Sequence, residues 1–233
     1  MANLKGGLGE FLRRSRVLIE NARGVPAIAG VLVDYGYTEA KLAKGAQLLS
    51  EAEALATKRA KDSGESRQAT EELNAAWEAA NNAYVKALKV ARVVFGQEAK
   101  ASAALKLYGP RKQSMAGWLD QARTFYGNVQ GDASLSDRLR TFGYTEAKLG
   151  AEAALVDGVR AKLQNHAHES GAAQESTVGR DKKIAELDQG VSDLRAICKV
   201  AFAENPQQLE ELGIVVLNAP RKKKATAASA AKA

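Results

Sequence analysis

The sequence predicts an all-α protein, a tandem duplication of one helical unit with long antiparallel hairpins packed as a four-helix-type bundle. Residues that lose little side-chain freedom in a helix, alanine above all, dominate the composition, and the 233 residues include four prolines. No segment shows the sustained β-branched alternation of a strand. The heptapeptide GYTEAKL occurs at 36–42 and again at 143–149, and long segments with heptad spacing follow both copies.

The duplication extends well beyond the heptapeptide. Shifting the chain by 107 residues aligns residues 11–109 with 118–216 without a gap, and about 22 positions are identical. Leu12 then falls on Leu119 and Asn21 on Asn128, and the triplet PRK recurs at 110–112 and 220–222. We therefore predict a first helical repeat at 1–113, a second at 114–220 and a disordered basic tail at 221–233.

Short helices are predicted at the start of each repeat, near 7–35 and 114–141. Glycine and proline at 24–26, and the pair Gly131-Asp132, are expected to break them. The heptapeptide then predicts a helix-to-helix corner. Gly36 suits the left-handed residue that ends a helix, and Thr38 suits the N-cap of the next one. Tyr37 and Leu42 have the spacing of a hydrophobic staple. The alternative interpretation is a binding site built at this corner.

Each corner is followed by apolar residues at alternating steps of three and four, which predict a left-handed, coiled-coil-like seam. Breaks are expected at 62–64 and 169–171, so that each repeat contains an antiparallel hairpin of two helices. Two such hairpins related by a pseudo-two-fold axis form a four-helix bundle, like a homodimer fused into one chain. The alternative is two separate bundles joined near 110–113. The seam residues are Leu42, Ala46, Leu49, Ala52, Ala56, Leu73, Trp77, Ala80, Tyr84, Ala87, Ala91 and Val94 in the first repeat, and Leu149, Ala153, Val156, Val159, Leu163, Ile184, Leu187, Val191, Leu194, Cys198 and Ala201 in the second.

The sequence lacks the residue patterns of the common catalytic and cofactor sites, so we expect no enzyme, no cofactor and no small-molecule substrate. His166 and His168 have no glutamate three residues before them, and their spacing separates them on a helix, which argues against a di-iron site. Cys198 falls on the apolar seam and is expected to be a core residue. Trp77 and Trp118 are expected to pack in the core. Four glutamates are assigned to a solvated surface: Glu51, Glu53, Glu71 and Glu72.

The net charge of +7 is unevenly distributed. Residues 1–117 carry 18 basic and 12 acidic side chains, residues 118–220 carry 11 and 15, and the last thirteen residues carry five basic side chains and no acid. The cluster Arg221, Lys222, Lys223 and Lys224 resembles in composition the basic tails of nucleoid and linker-histone proteins. Four cations suffice for weak, salt-sensitive binding to phosphates. A solubilising tail is the other interpretation.

The sequence thus predicts a non-enzymatic helical scaffold or interaction protein that binds a protein partner or associates with itself. Opposite charges on the two repeats favour head-to-tail association, or equally packing within one chain. The alternative is a protein that associates non-specifically with nucleic acid through its tail. A single cysteine, no apolar signal segment and no membrane-spanning stretch predict a cytoplasmic protein without membrane contact.

Overall fold

The computed structural model describes residues 6–215, and all regular elements in this range are α-helices. In chain order they are α1 (Gly7–Gly24), α2 (Pro26–Asp34), α3 (Glu39–Phe95), α4 (Ala99–Ala104), α5 (Met115–Gly131), α6 (Ala133–Arg140), α7 (Glu146–Ala201) and α8 (Pro206–Glu211). The prediction of an all-helical protein with long helices packed together is confirmed. None of the helices between residues 6 and 215 combines the length and apolar character that a bilayer crossing requires.

The predicted breaks in the leading helices are confirmed. Val25 has extended backbone angles between α1 and α2, and Pro26 occupies the first turn of α2, where its missing N–H costs no helical hydrogen bond. Asp132 separates α5 from α6, and its carboxylate accepts a hydrogen bond of 2.9 Å from the backbone N–H of Ser134. The breaks therefore occur where the proline and the capping aspartate predict them.

The two heptapeptides form helix-to-helix corners, as predicted. Gly36 and Gly143 have φ of 76° and 80°, in the left-handed region that glycine tolerates without strain. Thr38 caps α3 by accepting a hydrogen bond of 3.4 Å from the Lys41 N–H, and Thr145 caps α7 in the same way at 3.3 Å. Tyr37 is buried before the cap, so each corner fixes where a long helix starts.

The predicted breaks at 62–64 and 169–171 are wrong, and with them the antiparallel hairpin within each repeat. Helix α3 continues for 57 residues and α7 for 56. Serine and glycine in a helix interior cost only about 0.5–1 kcal/mol each. Asp62 offsets a small part of this cost, because its carboxylate pairs with Lys58 Nζ at 2.5 Å one turn earlier. Packing therefore overrides the weak break signal.

The described chain divides into two compact units. Unit 1 comprises residues 6–57 and 178–215, and unit 2 comprises residues 58–177. Both boundaries fall inside the long helices, so each unit takes helices from both of the predicted repeats. Residues 110–113, where the alternative interpretation places a linker between two bundles, lie within unit 2.

Each unit has its own hydrophobic core. In both, the α3 part runs beside the α7 part: Lys183 Nζ lies 3.1 Å from Glu51 Oε2 in unit 1, and Lys162 Nζ lies 2.6 Å from Glu72 Oε2 in unit 2. The core of unit 1 is mainly aliphatic. The core of unit 2 contains a cluster of aromatic rings at 5.1–6.3 Å between centroids, to which Trp77, Tyr84, Trp118, Phe125 and Tyr126 contribute. The seam prediction is confirmed for most of its residues, which are buried in one core or the other.

Two glycines are expected to respond to alanine in opposite directions. Gly213, after α8, has φ of 67°, and a Cβ there would lie 3.2 Å from Val17 Cγ1, so Gly213→Ala should lower the free energy of unfolding by about 1–2 kcal/mol. Gly64 lies within α3 with open space around it, so Gly64→Ala should raise that free energy by up to about 1 kcal/mol. Denaturation in guanidinium chloride measures both. Equal shifts of the same sign would contradict the expectation.

Candidate functional site

His166, His168 and Cys198, the residues examined in the sequence for metal binding or catalysis, do not form a common site within the described residues. Within residues 6–215, no group of three or more histidine, cysteine, aspartate or glutamate side chains is placed to hold a metal ion. His168 lies on the surface, with Nδ1 3.2 Å from Glu169 Oε1. Cys198 is fully buried in the core of unit 1, as predicted, and burial raises the pKa of its thiol to about 11. The predicted nucleic-acid residues Arg221, Lys222, Lys223 and Lys224 lie outside the described residues.

A cavity of about 210 Å³ lies in the wall of unit 1, between the start of α3 and the end of α7. Its lining is mostly apolar, and two glycines, Gly45 and Gly190, leave it open. The charged side chains in the lining are Lys41, Lys44 and Asp193. The seam pattern did not predict this cavity, although a glycine beside a seam residue leaves less side-chain volume there than any other residue.

The corresponding place in unit 2 has larger side chains at two of the lining positions, beside a depression of about 140 Å³ that Tyr126 also lines. In the alignment that shifts the chain by 107 residues, which defines the counterpart of each residue in 11–109 and 118–216, Ile19 and Gly45 fall on Tyr126 and Glu152. Tyr126 is 2% exposed, and its hydroxyl donates a hydrogen bond of 2.9 Å to Glu152 Oε2. The same location thus holds a phenol ring and a carboxylate in unit 2 and an open cavity in unit 1.

Partial burial governs the ionisation of this pair. Desolvation raises the pKa of the Glu152 carboxyl, and the Tyr126 hydrogen bond and the charges of Lys148 and Lys86 oppose that rise. Burial, followed by the Glu152 charge, raises the pKa of Tyr126, so the phenol stays protonated. The folded protein therefore holds a carboxylate where its charge is poorly solvated.

Replacing Glu152 by glutamine is expected to stabilise unit 2 at neutral pH. Because the pKa of Glu152 in the folded state lies above the ordinary value of 4.5, folding favours the protonated carboxyl. That contribution is complete below pH 4.5 and is lost as the pH rises through the folded-state pKa. Glutamine keeps an acceptor for Tyr126 without the charge. The difference in Tm between Glu152→Gln and the wild type should grow from pH 4 to pH 7, measured by circular dichroism.

Glu10 provides the matched control of opposite sign. Hydrogen bonds from Arg13 and Arg14 lower the pKa of its exposed carboxylate to about 2. Its contribution to stability is therefore present above pH 4.5 and lost as the pH falls toward 2. Glu10→Gln should lower Tm at pH 7 and lose that effect in acid. The same pH trend for both variants would contradict the assignment of Glu152.

A second depression in unit 1, of about 430 Å³, is predominantly basic. Arg13, Arg14, Arg195 and Lys199 line it, and Glu10 is the acidic residue in its wall. Since Glu10 pairs with Arg13 and Arg14, and no ion pair within residues 6–215 engages Arg195 or Lys199, the depression keeps a positive field. This surface is suited to an anion.

Exposed apolar side chains occur at counterpart positions. Of nine large hydrophobic residues that are well exposed in residues 6–215, six form three pairs separated by 107 residues. Single exposed apolar residues are ordinary on protein surfaces, but the same three positions in each unit are a repeated feature. The first set, in unit 1, is Tyr35, Val200 and Val215; the second set, in unit 2, is Phe142, Val93 and Tyr108.

Comparison with protein-family models, curated proteins and solved structures finds no match for this chain. The surfaces and cavities of the two units are therefore the basis for a functional assignment.

Proposed function

We propose that this chain is a non-enzymatic helical scaffold that binds protein partners through its repeated exposed apolar positions, the first partner to test being a second copy of itself. The observation that carries the proposal is the pairing of Tyr35 with Phe142, Val93 with Val200 and Tyr108 with Val215. Each side chain exposes more than two fifths of its surface. Apolar contact area of this kind gains free energy when a partner covers it.

Hydrogen bonds place the second set around one junction of unit 2. Arg92 donates to the carbonyls of Leu107 and Gly109 at 3.1 and 3.0 Å, which brings the segment with Tyr108 beside the end of α3. Arg138, at the end of α6, donates to Val94 O at 3.0 Å and pairs with Glu98. Val93 and Phe142 flank these contacts along the chain, so the three apolar residues surround the same junction.

We further propose that the chain is a tandem duplication that corresponds to a fused homodimer. Helices α5, α6, α7 and α8 follow the order of α1, α2, α3 and α4, with lengths of 17, 8, 56 and 6 residues against 18, 9, 57 and 6. Asn21 Nδ2 donates to Glu211 O at 2.6 Å in unit 1, and its counterpart Asn128 donates to Ala104 O at 2.7 Å in unit 2. Both bonds join a residue of one repeat to the other repeat, as an exchange between two subunits would.

The charge difference between the repeats does not carry over to the compact units. The described part of unit 1 has 11 basic and 13 acidic side chains, and unit 2 has 17 and 14. Opposite fields on two folded halves are therefore weak, and we base self-association on the apolar positions instead.

Light scattering coupled to size exclusion tests this proposal. The wild type should exceed the monomer mass of 24.8 kDa as concentration rises, and high salt should not dissociate it. Replacing all six paired residues together by serine should return the mass to that of the monomer: Tyr35, Val93, Tyr108, Phe142, Val200 and Val215. The matched control replaces Val33 and Val178, exposed residues without an exposed apolar counterpart. A wild type that stays monomeric at all concentrations would contradict self-association.

The alternative function is non-specific association with nucleic acid. The basic depression of unit 1 and the cluster Arg221, Lys222, Lys223 and Lys224 favour it. Four cations on phosphates predict an affinity for duplex DNA that falls by about three to four powers of ten for each tenfold rise in salt. Fluorescence anisotropy with labelled DNA should show this slope, and loss of binding for residues 1–220.

Cytoplasmic localisation stays a prediction from cysteine usage.

A further inference from the structure

The residues that line the cavity of unit 1 differ in size from their counterparts in unit 2: some are larger in unit 2, whereas Leu187 and Leu194 correspond to the smaller Ala80 and Ala87. Ile19 and Gly45 line the cavity where unit 2 has Tyr126 and Glu152. Val191 in the opposite wall corresponds to Tyr84, which is fully buried. The fold therefore supports a ring and a carboxylate at this location when the chain supplies them.

The volume of the cavity suits one small aromatic molecule. A dry apolar cavity of about 150 Å³ is large enough for benzene. The cavity of unit 1, at about 210 Å³, leaves room for a few further atoms. A Cβ built on Gly190 meets no atom within 4 Å, and one built on Gly45 meets only Ile19 Cγ2 at 4.0 Å, so the glycines do not hide a tight contact.

The charges around the cavity favour an anion. Lys41 Nζ lies 3.8 Å from the ring centroid of Tyr37, and its counterpart Lys148 lies at the same distance from Tyr144. Lys148 is one of the two lysines whose charge favours the Glu152 carboxylate. The second, Lys86, corresponds to Asp193, but unit 1 adds Lys44 in place of Ala151.

The balance of these charges is positive. Asp193 is the acid in the lining, and its Oδ1 already accepts a hydrogen bond of 2.9 Å from Gln189. Lys41 and Lys44 form no ion pair with any residue in 6–215. Two cations against one acid leave a net positive lining beside an apolar pocket.

We infer that the cavity of unit 1 binds a small aryl carboxylate, which supplies the ring and the anionic group that Tyr126 and Glu152 supply in unit 2. The ring lies against Ile19 and Val191, and the carboxylate lies toward Lys41 and Lys44. This site is separate from the exposed apolar positions and independent of the scaffold function.

Isothermal titration of the full chain with phenylacetate tests the inference. For a ligand of ten heavy atoms we expect a Kd of about 0.2–1 mM and one site per chain. The double variant Ile19→Tyr with Gly45→Glu, which transfers the filling residues of unit 2, should weaken binding more than tenfold while the far-ultraviolet circular dichroism stays unchanged. If that variant does not fold, Gly190→Leu places bulk in the cavity wall at a helical position with open space and should have the same effect.

Two matched controls distinguish binding in the cavity from non-specific binding of the ligand to the protein. Lys41→Gln should weaken binding severalfold, whereas Lys148→Gln, at the counterpart position in unit 2, should leave it unchanged. Phenylacetamide, which lacks the charge, should bind more weakly than phenylacetate. Absence of binding at concentrations tenfold above the expected Kd, equal binding of the amide, or undiminished binding to the filled variants would each overturn the inference.

Discussion

The isolated first repeat, residues 1–113, is expected to be unfolded as a monomer. It contains α1 to α4, but its apolar residues belong to two different cores. Without the second repeat, unit 1 loses the buried residues of α7 and α8, and unit 2 loses those of α5, α6 and the first part of α7. Helices without a packed apolar face are marginal in water. This is the largest effect that we expect from any change to the chain.

Exchange of halves between two copies is a route by which this fragment can fold. Two copies can exchange halves as the two repeats do in the full chain, which gives a dimer of twice the fragment mass. Circular dichroism at 222 nm and light scattering on residues 1–113, with residues 114–220 as the matched fragment, distinguish the cases. Folding is expected to appear together with dimerisation as concentration rises. A folded, monomeric 1–113 would contradict the assignment of the units and favour two separate bundles.

Phe125→Ala is expected to lower the free energy of unfolding by about 3–5 kcal/mol, the range for removing a fully buried phenylalanine. Phe125 is fully buried in unit 2, with its ring 5.6 Å from Tyr84 and 5.1 Å from Tyr126 between centroids. Both contacts are edge-to-face or nearly so, which adds to the loss on truncation. The large rings around it limit how far the site can collapse.

The counterpart of Phe125 provides the control. Leu18 is equally buried, in unit 1, and Leu18→Ala should cost about 2–5 kcal/mol. Both tryptophans of the sequence, Trp77 and Trp118, lie in unit 2, so their fluorescence follows that unit, whereas circular dichroism follows all helices. Phe125→Ala should shift the fluorescence transition in guanidinium chloride. A shift below 1 kcal/mol would contradict the aromatic core as described.

The features that local stereochemistry decides could be predicted from the sequence. The corner at 36–42 needs a left-handed residue, a capping hydroxyl and a buried staple, and Gly36, Thr38 and Tyr37 supply them in adjacent positions. The breaks at Val25 and Asp132 likewise follow from residues beside the break. Each of these features depends on backbone preferences within one or two turns.

The prediction of a hairpin in each repeat is wrong because serine and glycine destabilise a helix too little to interrupt it at 62–64 or 169–171. Ser63 and Gly64 cost a helix only about 0.5–1 kcal/mol each, and apolar residues that follow them on α3, such as Ala69 and Leu73, gain more from being buried. The partition into units could not be predicted, since a heptad seam specifies which side of a helix is buried and not which partner covers it.

The candidate sites depend on tertiary packing still more strongly. Gly45 and Gly190 line the cavity from different helices, and nothing in the sequence spacing of either residue predicts that they share a cavity. The exposed pairs such as Tyr35 and Phe142 were visible in the alignment of the repeats, but their exposure was not. The number of charged side chains could be read from the sequence, but how they are divided between the two units could not.

Because Cys198 is buried, the rate at which a reagent modifies its thiol reports local opening of unit 1. It is the single cysteine in the sequence, it is fully buried, and a thiol with a pKa near 11 forms little thiolate at neutral pH. A thiol reagent can therefore modify it only when the end of α7 separates from the core of unit 1. The labelling rate in native buffer measures how often that opening occurs, and cavity-filling or ligand binding in the same unit should slow it.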